Sequence, residues 1–211
     1  MIFFENIKRF KNFYKNLFFK NIKIENRINF GSHQANHFFL EKLKKSYYYF
    51  EYGSGSSTLI ANKYKKKFLS VELDKSYYDL IKKRINKKGI IKFISIGPVG
   101  EFSYPLFRFR HRIKKYVECI DEEFKKNIYP DLILVDGRFR VACCLNLLKF
   151  EKINKGFSSI IIDDYSKRKE YHVLNSFFFI KKIGRLAFLR SKNISKKKVK
   201  KTLEENYFIS K

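Results

Sequence analysis

A chain of 211 residues is long enough for one α/β domain and leaves little for a second. Hydrophobic residues at 45% and aromatics at 18% supply a core and exclude a disordered chain, while no stretch approaches the roughly 20 uninterrupted apolar residues of a membrane span. With 47 basic residues against 20 acidic ones the net charge is +27, a field that attracts nucleic acid, anionic lipid or acidic glycans, although its lysine-heavy make-up also fits a solvated surface.

In chain order, residues 1–30 read as a basic amphipathic helical segment. Phe3, Ile7, Phe10, Tyr14 and Leu17 recur at spacings of three and four, with Lys8, Arg9, Lys11, Lys15 and Lys20 between them. Such a helix packs on the domain, meets another copy, or lies on an anionic membrane through residues 1–20. No continuous apolar run with a small-residue cleavage site is present, so the expectation is a cytoplasmic protein, peripheral at the inner membrane face in the membrane reading. Cys119, Cys143 and Cys144 have no metal-ligand spacing and read as reduced, buried thiols.

Over residues 31–190 strand and helix patterns alternate, the signature of a mostly parallel sheet with helices on both faces. Strands are expected at 47–52, 67–72, 90–96, 131–136, 158–163 and 180–190, the last antiparallel, and helices near 34–45, 57–65, 75–87, 140–150 and 168–178. Residues 191–211 form a lysine-rich tail ending in Tyr207-Phe208-Ile209, a candidate edge strand. Between the third and fourth strands, residues 104–116 mix Tyr104, Phe107, Phe109 and Tyr116 with Arg108, Arg110, Arg112, Lys114 and Lys115. They form either a surface helix covering the sheet or a substrate-facing lid.

The most informative stretch is Glu51-Tyr52-Gly53-Ser54-Gly55-Ser56-Ser57-Thr58, after the first strand, with Glu72 ending the second. Strand, glycine loop, helix, strand and acid let a nucleoside-bearing cofactor lie over the glycines, with the acid on its ribose hydroxyls. Taken alone, the glycines could serve only to give the turn its positive φ. A dinucleotide site wants a third glycine where Thr58 stands, and Glu51 would repel a pyrophosphate, which argues against NAD. The pattern Glu-x-Gly-x-Gly-x-Ser-Thr with Glu72 resembles motif I and its partner acid in class I S-adenosylmethionine-dependent methyltransferases. That resemblance implies a Rossmann-like, doubly wound fold and S-adenosylmethionine as cofactor. Glu51 would orient its amine, Gly53, Ser54, Gly55, Ser57 and Thr58 would line it, and Glu72 would hold its ribose.

Asp136-Gly137 closes the fourth strand and Asp163-Asp164 the fifth, so three carboxylates reach the mouth where the loop would place a cofactor. Crowded carboxylates need a cation, either a divalent ion or arginines. The spacing resembles the metal site of cation-dependent O-methyltransferases, which implies Asp136, Asp163 and Asp164 as ligands to Mg²⁺ that grips a substrate hydroxyl. Where the catechol enzymes carry a lysine base this chain has Phe139, flanked by Arg138 and Arg140. Arg138 could then pair with Asp163 or Asp164 in place of a metal. Asp136 and His172 are the catalytic candidates, the histidine as general base. The string Val135-Asp136-Gly137-Arg138-Phe139-Arg140-Val141-Ala142-Cys143, with Gly97-Pro98-Val99-Gly100-Glu101, Asp163-Asp164-Tyr165 and Tyr171-His172-Val173, also resembles an uncharacterised group of bacterial methyltransferase-like proteins.

Together these imply methylation of a hydroxyl on a small-molecule or glycan acceptor. Two alternatives stay open. An RNA methyltransferase suits the charge but shows no RNA-binding module, and a non-catalytic basic binding protein could have kept the fold.

Overall fold

The computed structural model describes residues 24–209. The helix expected over the first thirty residues therefore lies outside them up to residue 23, and residues 24–32 form no helix.

Among the described residues seven strands make one sheet in the order β3-β2-β1-β4-β5-β7-β6. β1 (Tyr48–Tyr52), β2 (Lys67–Glu72), β3 (Gly89–Phe93), β4 (Leu132–Val135) and β5 (Ser159–Ile162) pair parallel. β7 (Leu186–Ser191) runs antiparallel to both β5 and β6 (Phe178–Ile183). Buried on both faces, the central strands read as near-continuous apolar runs, and their period of two sorts residues to opposite sides. Phe50, Tyr52, Ile133, Val135, Ile160 and Ile162 enter one core, and Tyr49, Leu132, Leu134 and Ile161 enter the other.

The first core is roofed by α4 (Arg110–Val117), the wholly buried α6 (Arg140–Leu147) and α8 (Lys196–Asn206). Helix α1 (His33–Lys45) covers the second, burying Ala35, Phe39 and Leu43 at four-residue spacing, and the Ser32 hydroxyl caps it by accepting from the Ala35 N–H at 3.1 Å. Helices α2 (Ser56–Lys63) and α3 (Lys75–Lys82) follow β1 and β2, the latter capped by Asp74. Two short helices, α5 (Asp121–Lys125) and α7 (Glu151–Asn154), lead into β4 and β5.

The structure corrects several sequence expectations. The single strand at 180–190 is a hairpin, because Gly184, at φ 60°, opens a two-residue turn between β6 and β7. The edge strand expected at Tyr207-Phe208-Ile209 is absent: Val199, Leu203 and Tyr207 form a buried stripe at helical spacing, so the tail folds as α8. Residues 169–176 are 3₁₀ helix. The basic aromatic segment is partly helix α4, with Ile113, Tyr116 and Val117 inward. Cys119, Cys143 and Cys144 are free and buried. Among the described residues no helix is long and apolar enough to cross a membrane.

Strand order reverses between β1 and β4, so their following loops depart to opposite sides and leave a crevice at the carboxyl edge. The two loops touch through glycine. A Cβ on Gly53, which sits at φ 89°, would lie 2.8 Å from the Gly137 Cα and N, and one on Gly137 would lie 2.1 Å from the Tyr116 hydroxyl.

Candidate functional site at the carboxyl edge of the sheet

The loop after β1 is built from beneath by Glu51. Alternation along β1 turns this side chain, with Tyr49, toward the second core, where it is fully buried. Its carboxylate accepts from the Tyr49 hydroxyl at 2.7 Å, the Ser57 hydroxyl at 2.7 Å and the Thr58 hydroxyl. Thr58 in turn accepts from the Gly55 N–H at 2.9 Å, closing the start of α2. Burial raises the Glu51 pKa and the three hydroxyls oppose that shift. Glu51, which the resemblance would have orient a cofactor amine, lines neither cavity at this edge. Its oxygens are already satisfied inside the protein, and Thr58 is buried with it.

Glu72 stands differently. It ends β2 and lines a cavity of about 420 Å³ together with Gly53, Ser54, Ser103, Tyr116 and Asp136. One oxygen accepts from the Ser54 N–H at 2.8 Å and the Ser54 hydroxyl at 2.7 Å. The other accepts from the N–H groups of Leu73 and Asp74, both at 2.8 Å, and from the Ser103 hydroxyl at 3.2 Å. Burial raises its pKa against these donors. Each oxygen thus carries one side-chain hydroxyl on the cavity side, the pattern a vicinal diol presents. Gly55, Ser56 and Ser57 line a neighbouring cavity of about 380 Å³ that shares Gly53, Ser54, Tyr77, Asp136 and Arg185 with the first, and a Cβ on Gly55 would meet nothing within 4 Å.

Asp136, Asp163 and Asp164 do converge on the main cavity. Their charge is answered by arginine. Arg185, from the β6–β7 turn, grips the buried Asp163 through two parallel bonds of 2.8 and 2.7 Å and lies 3.7 Å from Asp164. Arg140, first residue of α6, reaches Asp136 at 3.0 Å and Asp164 at 3.3 Å, and it also donates to the backbone oxygens of Asp136, Gly137 and Asp163. Among the described residues no group of three or more His, Cys, Asp or Glu side chains is disposed to hold a metal ion. The three carboxylates therefore do not fit the Mg²⁺ site that the spacing suggested. The arginine substitute is real in kind but not in identity: Arg138 pairs with neither aspartate and donates to the Phe102 carbonyl at 2.6 Å.

Asp136 is the carboxylate left under-compensated. Burial, with Asp163 and Asp164 nearby, pushes its pKa up to about 8, although Arg140 pulls the other way. His172, the candidate base, stands apart from these residues. It sits in the 3₁₀ stretch with its ring 5.3 Å from that of Tyr165, its Nε2 is buried without a partner among the described residues, and it does not line the cavity.

Sequence reasoning missed three contributors, Arg185, Phe102 and Ser103, and named a fourth, Tyr116, only as part of the basic segment. Arg185 carries no local signal, since a turn residue meets Asp163 only through the hairpin. Tyr116, inside the basic segment, places a buried hydroxyl with no hydrogen-bond partner among the described residues against Gly137, and burial drives its pKa well up, so it stays a neutral donor. Phe102 and Ser103 hold consecutive left-handed backbones, φ 51° and 59°, on the cavity wall, and Asp164 does so at φ 59°. Strain of this kind, about 1–3 kcal/mol each, gathers at ligand sites.

A methyltransferase-like protein from Silicibacter pomeroyi, known from its crystal structure, superposes with a TM-score of 0.70 over 88% of this chain and 100% of that one, at 24% sequence identity. The fold is shared. No family model and no curated protein sequence matches the chain.

Proposed function

We propose that the chain is an S-adenosylmethionine-dependent methyltransferase acting on a hydroxyl of a small-molecule or glycan acceptor. The observation that carries this reading is Glu72, a carboxylate at the end of β2 with one hydroxyl on each oxygen, facing a glycine loop at the topological switch point. The fold shared with a methyltransferase-like protein supports it.

The residues suit a cationic, phosphate-free nucleoside. The loop carries Thr58 where a dinucleotide site wants a third glycine, and the under-compensated Asp136 gains from a positive neighbour. When bound, S-adenosylmethionine supplies an electrophilic methyl group on sulfonium. The remaining work falls to the protein. Glu72 would exchange its Ser54 and Ser103 hydroxyls for those of the ribose. Asp136, ionised once a cation adjoins it, would take the proton from the acceptor hydroxyl as the oxygen attacks. The Tyr116 hydroxyl would donate to an oxygen over Gly137. Arg140 and Arg185 hold the three carboxylates in place, so that transfer depends on positioning rather than on a metal.

Calorimetric titration of the full-length protein with S-adenosylmethionine, S-adenosylhomocysteine and NAD tests the reading. Binding of the first two without the third is expected, and no heat from either adenosyl compound would overturn it.

A further inference from the structure

Four arginines line the main cavity, and they are not equivalent. Arg140 and Arg185 are committed to carboxylates at 2.7–3.3 Å. Arg168 sits loosely, 3.8 Å from both Asp164 and Glu170. Arg138 takes part in no ion pair among the described residues. Its Nε donates to the Phe102 carbonyl at 2.6 Å and its guanidinium stands 5.7 Å from the centre of the Tyr104 ring. These contacts fix the plane of the side chain while both Nη groups have no hydrogen-bond partner among the described residues.

A half-buried cation held this firmly and left uncompensated is costly unless a ligand answers it. Arg140 and Arg168 add to the cost: with burial, their charges pull the Arg138 pKa down. The segment that orients Arg138 is the strained one, Phe102-Ser103, and the Phe102 ring on the cavity wall is 78% exposed. An apolar face thus lies beside a forked, unpaired donor.

We propose that Arg138 selects a methyl acceptor carrying an oxyanion, a carboxylate or a phosphate monoester, held by the two Nη groups while the acceptor's apolar body rests on Phe102. The word acceptor rests on the methyltransferase reading; the anion site does not. A guanidinium fork suits both oxyanions because each presents two coplanar oxygens.

The test is titration of the full-length protein, with and without saturating S-adenosylhomocysteine, with benzoate, phenyl phosphate and phenol. Benzoate or phenyl phosphate should bind at least about tenfold more tightly than phenol, the scale of one charge-assisted contact, and the stronger of the two names the oxyanion. Arg138→Gln should abolish that preference and change S-adenosylhomocysteine affinity less than about twofold. Arg138→Lys, which keeps the charge and loses the fork, should retain part of it. Equal binding of phenol, failure of both anions to bind, or an undiminished preference in Arg138→Gln overturns the proposal. A tenfold loss of S-adenosylhomocysteine affinity in that variant also overturns it, by assigning the guanidinium to the cofactor's own carboxylate. If S-adenosylhomocysteine does not bind the wild type, the methyltransferase reading fails, and the anion titrations without it still decide the role of Arg138.

Discussion

Glu51→Ala and Glu72→Ala, made side by side, separate a carboxylate that builds the loop from one that faces the cleft. Removing Glu51 leaves the hydroxyls of Tyr49, Ser57 and Thr58 buried without their acceptor, at a site water does not reach. At about 1 kcal/mol or more for each orphaned group, plus the vacated volume, the loss is about 3–5 kcal/mol. For a domain of this size each kcal/mol moves the melting temperature by roughly 2–4 °C, so a fall of about 6–20 °C is expected. Removing Glu72 frees donors beside an open cavity, where water replaces the carboxylate, and about 1–2 kcal/mol is lost. Its effect on S-adenosylhomocysteine should be larger: loss of the ribose acceptor costs about 1–3 kcal/mol, or roughly 5- to 150-fold in Kd. Thermal melting and calorimetry on both variants give the comparison, and the two should rank in opposite order in the two assays. A Glu51→Ala protein that melts like the wild type yet loses more cofactor affinity than Glu72→Ala would refute this assignment.

Gly53→Ala forces a Cβ to 2.8 Å from the Gly137 backbone at φ 89°, so a loss of at least about 2 kcal/mol is expected, and an unchanged melting temperature would contradict the close approach of the two loops. Arg185→Met strips the buried Asp163 of its bidentate partner and should cost about 3 kcal/mol at pH 7, with Asp163→Asn in the same chain recovering part of it; urea titration of the single and double variants measures both. The Asp136 pKa is raised in the fold, to about 8, above that of an unfolded carboxylate. Folding then favours the protonated form, so the group's stabilising contribution is full below the ordinary carboxylate range and is lost as pH rises through about 8. The melting temperature should therefore fall between pH 6 and pH 9 more in the wild type than in Asp136→Asn, and parallel profiles would place the titration elsewhere.

The parallel half of the sheet was legible because strands buried on both faces announce themselves as apolar runs: the expected 67–72 coincides with β2, 47–52 overruns β1 by one residue, and 131–136 overruns β4 by one residue at each end. The tail was misread because its lysines, all on the exposed side of α8, masked the Val199, Leu203 and Tyr207 stripe, although its four-residue period was there to find. The site was legible as a set of acids and illegible as a set of pairs. Asp136, Asp163 and Asp164 sit at strand ends, which sequence locates. Their partners come from α6 and from a hairpin turn, which only the folded chain brings near. Glu51 was assigned by motif, whereas its parity along β1, shared with Tyr49, already pointed it into the second core.

The exchange of a metal for arginines changes what the cleft can discriminate. A divalent ion among three carboxylates would be a single concentrated positive centre, open to any chelating oxygen. Arg140 and Arg185 instead spread their charge into fixed forks whose bonds are spent on the protein, leaving little field for a ligand. What remains uncompensated is divided: a carboxylate short of positive charge at Asp136 and, two residues on, a guanidinium short of negative charge at Arg138. Such a cleft prefers two partners of opposite sign over one neutral molecule, and each partner screens the like-charge crowding that the other meets. On the proposed reading, the sulfonium cofactor and an anionic acceptor should therefore bind cooperatively, each tightening the other by the same factor.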